Sequence, residues 1–155
     1  MKLLKIGFSA LILLSFTSCS WREYFVIFNC SNLESVVKYQ LDVTKDGFPI
    51  FDQEPRAYRI DGNNEIDWNS KQIIEDLDST ALGVEIKLPS KSAIIIGELD
   101  NDHYKSYSQY FINARVFNLK EIQIVTSQKQ ITILKNQFDL FFKKVNGTIK
   151  YDIKP

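Results

Sequence analysis

Histidine is nearly missing from this chain: His103 is the only one among 155 residues. A two-imidazole site, whether for a metal or for paired acid–base work, is therefore excluded. Cysteine is scarce as well, with Cys19 and Cys30 alone, too few for a disulfide-stapled scaffold. No glycine-rich phosphate loop, dinucleotide fingerprint or Gly-x-Ser-x-Gly elbow occurs, which removes nucleotide-dependent and serine-hydrolase chemistry of the familiar kinds. Charge of one sign is lacking too, since 19 Lys and Arg face 19 Asp and Glu. A balanced chain is a poor partner for nucleic acid or an anionic surface, because both require clustered positive charge. No nucleic-acid partner is expected. No internal repeat or heptad is visible.

What is present begins with the amino terminus. Lys2 and Lys5 make a short basic region, and residues 6–16, with Leu11, Ile12, Leu13 and Leu14, make an apolar one. That run falls short of the ~20 apolar residues that span a bilayer as a helix and has the length of a signal peptide. Thr17 and Ser18, both small, precede Cys19. This arrangement resembles the lipobox of bacterial lipoproteins, with Phe16 standing where Leu is commonest. The resemblance covers about the first 20 residues. It implies that the Cys19 thiol receives a diacylglyceryl group, that a helical leader over residues 1–18 is removed, and that the new amino terminus is acylated. Two or more acyl chains give a stable membrane anchor where one is marginal. Ser20 after the cysteine, in place of Asp, favours the outer membrane of the cell envelope. Loss of Lys2 and Lys5 leaves 17 basic against 19 acidic residues in the mature chain. With Cys19 lipidated, Cys30 has no disulfide partner and reads as a small, partly buried hydrophobe.

Residues 19–23 read as lipid anchor and short tether, and residues 24–155 as one domain. Residues 24–29 (YFVIFN) form a compact β-branched and aromatic run, and residues 36–43 alternate with Val37, Tyr39, Leu41 and Val43 on one side. Asp46-Gly47 is a turn signal. A short strand is expected at 57–60, and a short helix from Asn69 or Ser70 to Leu77 on the spacing of Ile73, Ile74 and Leu77. Strands follow at 81–88, 92–99, 110–116, 119–126 and 130–134. Asn146-Gly147 is the pair that a two-residue type I′ hairpin prefers, so residues 140–145 should pair with 148–153; residues 138–142 also suit a helical turn. Eight or nine short strands with one short helix indicate an all-β, mainly antiparallel β-sandwich.

Candidate chemistry is thin. Glu98, Asp100, Asp102 and His103 cluster in sequence, and read as a solvated loop ahead of a metal or catalytic site. Asp61, Asn63, Glu65 and Asp67 alternate as calcium loops begin, but Gly62 occupies the second position where the sixth needs glycine, and Gln72 stands at the twelfth. No catalytic residue, metal or cofactor is expected. Asn29-Cys30-Ser31 and Asn146-Gly147-Thr148 match the N-glycosylation sequon by chance composition, and Asp78-Ser79-Thr80 resembles an O-glycan acceptor of some bacterial envelope proteins. Trp21, Tyr24, Tyr58 and Trp68 lie at domain or loop edges, and Tyr104, Tyr107 and Tyr110 recur every three residues. Trp68 stands out as a possible binding anchor. The expectation is a lipid-anchored, non-enzymatic module that binds an envelope protein or a glycan. The alternatives are an accessory lipoprotein of a secretion or envelope-spanning machine, and an inhibitor or immunity lipoprotein.

Overall fold

A computed structural model describes residues 21–74, 77–79, 82–109 and 111–154. The expected leader and Cys19 lie outside the described residues, as do Thr80 of the acceptor-like tripeptide and Tyr110. The protein is an all-β sandwich. One sheet runs, in spatial order, β11 (Lys143–Val145), β12 (Thr148–Ile153), β1 (Arg22–Asn29), β7 (Ser92–Asp100) and β4 (Phe51–Arg59). The other runs β10 (Gln130–Leu134), β9 (Leu119–Val125), β2 (Ser35–Leu41), β6 (Gly83–Leu88) and β5 (Leu77–Ser79). A two-residue parallel pair, β3 (Phe48–Pro49) with β8 (Arg115–Val116), closes one end. Neighbours in the two large sheets are antiparallel except β1 and β12, which join the start and end of the domain in parallel from Tyr24↔Thr148 to Asn29↔Ile153.

The core lies between the sheets. Phe25 and Ile27 of β1, Ile94 and Ile96 of β7, and Ile149 of β12 face Val37 and Tyr39 of β2, Ile86 and Leu88 of β6, and Ile122 and Ile124 of β9. The apolar residues of β2, β6 and β9 alternate with polar ones, as one-sided burial demands. By contrast β1 and β7 carry continuous apolar runs, at residues 24–28 and 93–96, because there they are buried on both faces. Their other face, with Val26, Phe28 and Ile95, packs with Ala93 and Tyr58 against Ile60 and Ile66. Residues 60–69 fold back over the sheet to supply that cover.

Several expectations are corrected. The helix does not lie at 69–77. Gln72 bridges Ala57 instead, Ser70 Oγ accepts the Arg59 N–H at 2.8 Å, and Ile73 is 90% exposed, so pairing along β4 overrides a helical apolar stripe. Leu77 belongs to β5, and Glu75 and Asp76 lie outside the described residues. The short helix is α1 (Phe138–Phe141), entered through a 3₁₀ turn at Lys135–Gln137. It shortens the terminal hairpin to Lys143↔Lys150 through Val145↔Thr148, and Asn146 and Gly147 take the positive φ values, 48° and 77°, that the turn requires. The strand expected at 57–60 is nine residues long despite Pro55. β4 is an edge strand, and its pairing with β7 shifts register between Phe51 and Arg56, where the missing N–H of Pro55 costs no ladder bond. The strand expected at 110–116 reduces to β8, with Asn113 and Ala114 at positive φ ahead of it. Val43 lies past the end of β2 and is exposed. Finally, β1 starts at Arg22 and Glu23 is buried, so the domain takes in residues assigned to the tether.

Candidate binding groove

The outward side chains of β1 begin with Arg22 and Tyr24, and above them the 60–69 segment is tied into a rigid hairpin-like loop. Asp61 accepts the N–H groups of Asn63 and Glu65 at 2.9 Å each, Asn64 adopts φ 60°, and Ile60 bridges Ile66. Asp67 accepts the Asn69 N–H, and its own N–H returns to Arg59 O. The two aspartates of this loop thus cap backbone donors, which is turn chemistry. Among the described residues no group of three or more His, Cys, Asp or Glu is placed to hold a metal ion.

This loop delivers Trp68 to the sheet surface. Its ring centroid lies 5.1 Å from Tyr24 and 5.5 Å from Tyr58, the latter edge-on, yet the residue stays 51% exposed. Beyond it, the β11–β12 turn forms a second wall. Between the two lies an open groove of about 490 Å³, with Trp68, Tyr24 and Ile66 on one side and Val145, Asn146 and Lys150 on the other. Its polar groups are held in place. Arg22 is ion-paired to Asp100 and lies 3.6 Å from Glu98, and Lys150 sits 5.2 Å from the Phe28 ring centroid and 3.2 Å from Asp152. An aromatic wall beside ion-paired cations, around an open slot of this size, combines the apolar surface and the few placed polar groups that a ligand site uses. Three of the four edge aromatics named from sequence, Tyr24, Tyr58 and Trp68, meet here. Trp21 does not; it stacks on His103 at 5.1 Å and 9°.

No family model matches the chain, and no solved structure matches it significantly. A UPF0182 protein of Clostridium tetani is similar, 29% identical over 125 residues that cover 74% of this chain and 14% of that protein. The chain therefore spans about one-seventh of that relative's length.

The acidic group around His103 is dispersed by the fold. Glu98 pairs with Arg56 at 2.6 Å, Asp100 with Arg22 and, at 3.6 Å, Arg115, and Asp102 accepts the N–H groups of His103 and Ile112. His103 turns away from them to Glu23, Nδ1 to Oε1 at 2.7 Å. Glu23, 4% exposed, also takes Lys144 Nζ at 2.6 Å and the Tyr104 N–H at 2.8 Å. Burial alone pushes its carboxyl up, but the hydrogen bonds from Lys144, His103 and the Tyr104 backbone outweigh it, and the group is held below its ordinary value. The Tyr104 hydroxyl in turn donates to Asp139 at 2.8 Å, and burial with that carboxylate pushes the phenol well upward. Tyr104 is thus core, while Tyr107 is exposed. Neither chain neighbourhood nor spacing signals that Glu23, 80 residues from His103, anchors this network.

The remaining motifs are placed as follows. Asn29 is fully buried, its Nδ2 donating to the carbonyls of Leu33, Leu88 and Pro89, so the first sequon holds a loop clamp. Burial pushes the Cys30 thiol up and away from reactivity, with Asp152 adding to the shift. Asp78 and Ser79 are exposed on β5, at the edge of the second sheet and not at a helix end.

Proposed function

We propose that this protein is a non-enzymatic binding module of a bacterial cell envelope, held to the outer membrane by acyl chains on Cys19, and that it takes an oligosaccharide in the groove beneath Trp68. The basic and apolar segments ahead of Thr17-Ser18-Cys19 support the anchor. One observation carries the binding site: Trp68 is half-exposed yet locked by Tyr24 and Tyr58, with fixed polar groups across a slot of about 490 Å³. A large apolar ring held without freedom loses little entropy on binding. Sugars present apolar C–H faces edged with hydroxyl groups, and match a wall of this mixed character better than a purely apolar peptide segment does.

Two measurements test this reading. Cys19→Ala should transfer the protein from the detergent phase to the aqueous phase on Triton X-114 partition; an unchanged distribution would falsify the anchor. For the groove, Trp21→Phe leaves Trp68 as the sole tryptophan reporter. Titration with a panel of soluble envelope oligosaccharides should shift its emission saturably, and by isothermal titration calorimetry Trp68→Ala should weaken binding at least about tenfold, the scale of an interface hot spot. If no oligosaccharide shifts the emission, or if Trp68→Ala binds as tightly as the parent, the assignment of ligand and groove fails.

A further inference from the structure

The ends of the sandwich differ sharply in character. One end carries the start of β1, the end of β7, the β11–β12 turn, α1, the β3–β8 pair and the 101–113 loop. The other carries the turns around Asn29, Pro89 and Thr126. Twelve large hydrophobic side chains are exposed among the described residues, and all but Leu33, Trp68 and Ile73 belong to the first end. Trp21, Tyr107, Ile112 and Leu140 are its most closely linked members. Trp21 stacks on His103, Ile112 donates its N–H to Asp102 beside it, and Tyr107 donates its N–H to Asp139, the residue before Leu140. Tyr107 is 75% exposed and held at φ 62°, so the loop presents this ring outward at a conformational cost. Lys105 and Lys143 are exposed beside these residues. A polar rim around apolar and aromatic tips is the composition of a membrane–water interface.

The length of chain before the domain selects the occupant. Only Ser20 separates Cys19 from Trp21, so the two outer Cα atoms lie at most roughly 7 Å apart. Such a leash cannot lift the domain clear of the bilayer to which Cys19 is attached. We infer that this apolar end is a bilayer-contacting face: Trp21, Tyr107, Ile112 and Leu140 enter the headgroup region of the membrane that holds Cys19, and fix the orientation of the domain on it. The inference rests on the lipidation of Cys19 proposed above. The domain contributes little net charge, so the covalent anchor supplies the contact, by raising the effective concentration of the face at the surface, and the aromatic tips orient it. The opposite end, at Pro89 and Thr126, then points away from the membrane.

The two tryptophans report the geometry separately. Trp68 packs on Tyr24, three residues farther along the chain than Trp21, or about 10 Å farther from the anchor at the rise of a strand. Full-length protein is purified from membranes and reconstituted into phosphatidylethanolamine–phosphatidylglycerol vesicles, with either plain or brominated acyl chains, bromine quenching indole only near contact. Trp68→Phe, which keeps Trp21, should lose about half its emission or more in brominated vesicles, while Trp21→Phe, which keeps Trp68, should lose less than about one-fifth. Mass spectrometry of the N-terminal peptide is run on the same samples. An acylated peptide with unquenched Trp21, or with both tryptophans quenched alike, overturns the docked orientation and leaves the anchor standing. A bare Cys19 overturns the anchor, and the docking with it.

Discussion

Phe25→Ala is expected to lower the unfolding free energy by about 3–5 kcal/mol, the usual cost of emptying a buried phenylalanine site. Phe25 is fully buried in the middle of β1 and meets Phe51 at 4.8 Å, Tyr104 at 5.3 Å, Phe138 at 6.0 Å and Phe117 at 6.2 Å. Those rings come from β4, the 101–113 loop, α1 and the chain between β8 and β9, so one truncation loosens four separate segments. Relaxation cannot fill the space, because Phe51, Phe117 and Phe138 already contact one another in edge-on pairs. Small domains hold a total of about 5–15 kcal/mol, so the variant should sit near its unfolding threshold at room temperature. Phe25→Leu, which retains most of the volume, should cost clearly less. Urea denaturation with an unchanged slope measures both. A Phe25→Ala midpoint equal to that of the parent would remove this cluster as the organising centre of the core.

Glu23→Ala should destabilise by about 2–4 kcal/mol, because it leaves the buried Tyr104 N–H without its acceptor and takes the carboxylate partner from Lys144 and His103. The pH dependence is more diagnostic than the magnitude. The fold favours ionised Glu23, holding its pKa below the ordinary 4.5. Its contribution is therefore complete above that value and is lost as pH falls through the lower folded pKa. Wild type should lose stability on acidification below about pH 4.5, and Glu23→Gln, which cannot titrate, should lose less over the same interval. Parallel acid profiles for the two proteins would show that Glu23 does not carry this sensitivity. The same network links β1 to β11 and the 101–113 loop, so its failure in acid should free the loop that bears Tyr107.

Sequence reading and structure agree most closely where the signal is local. Residues 24–29 and 92–99 read as strands from the apolar runs at 24–28 and 93–96, and Asn146-Gly147 reads as a turn because few other pairs tolerate positive φ twice in succession. Disagreement follows wherever a distant partner decides. Ile73, Ile74 and Leu77 have helical spacing, but the open edges of β4 and β6 compete for the same backbone donors and win. Pro55 argues against a strand until it is known that β4 lies at an edge. The Trp68 groove was half legible: the exposed tryptophan could be named, but not the hairpin wall formed by residues nearly 80 positions away.

Read alone, the amino-acid order determined the all-β class, most strand positions, the terminal turn and the likeness of the first 20 or so residues to a lipoprotein leader. Each of these depends on side-chain periodicity, turn conformation or a contiguous motif, all short-range properties of a chain. Tertiary structure alone decided the parallel join of β1 to β12, the Glu23–His103–Lys144 network, the groove under Trp68 and the gathering of exposed apolar residues at the end where β1 starts. These arise from register between segments far apart in the chain, where a shift of one residue would turn every side chain to the opposite face.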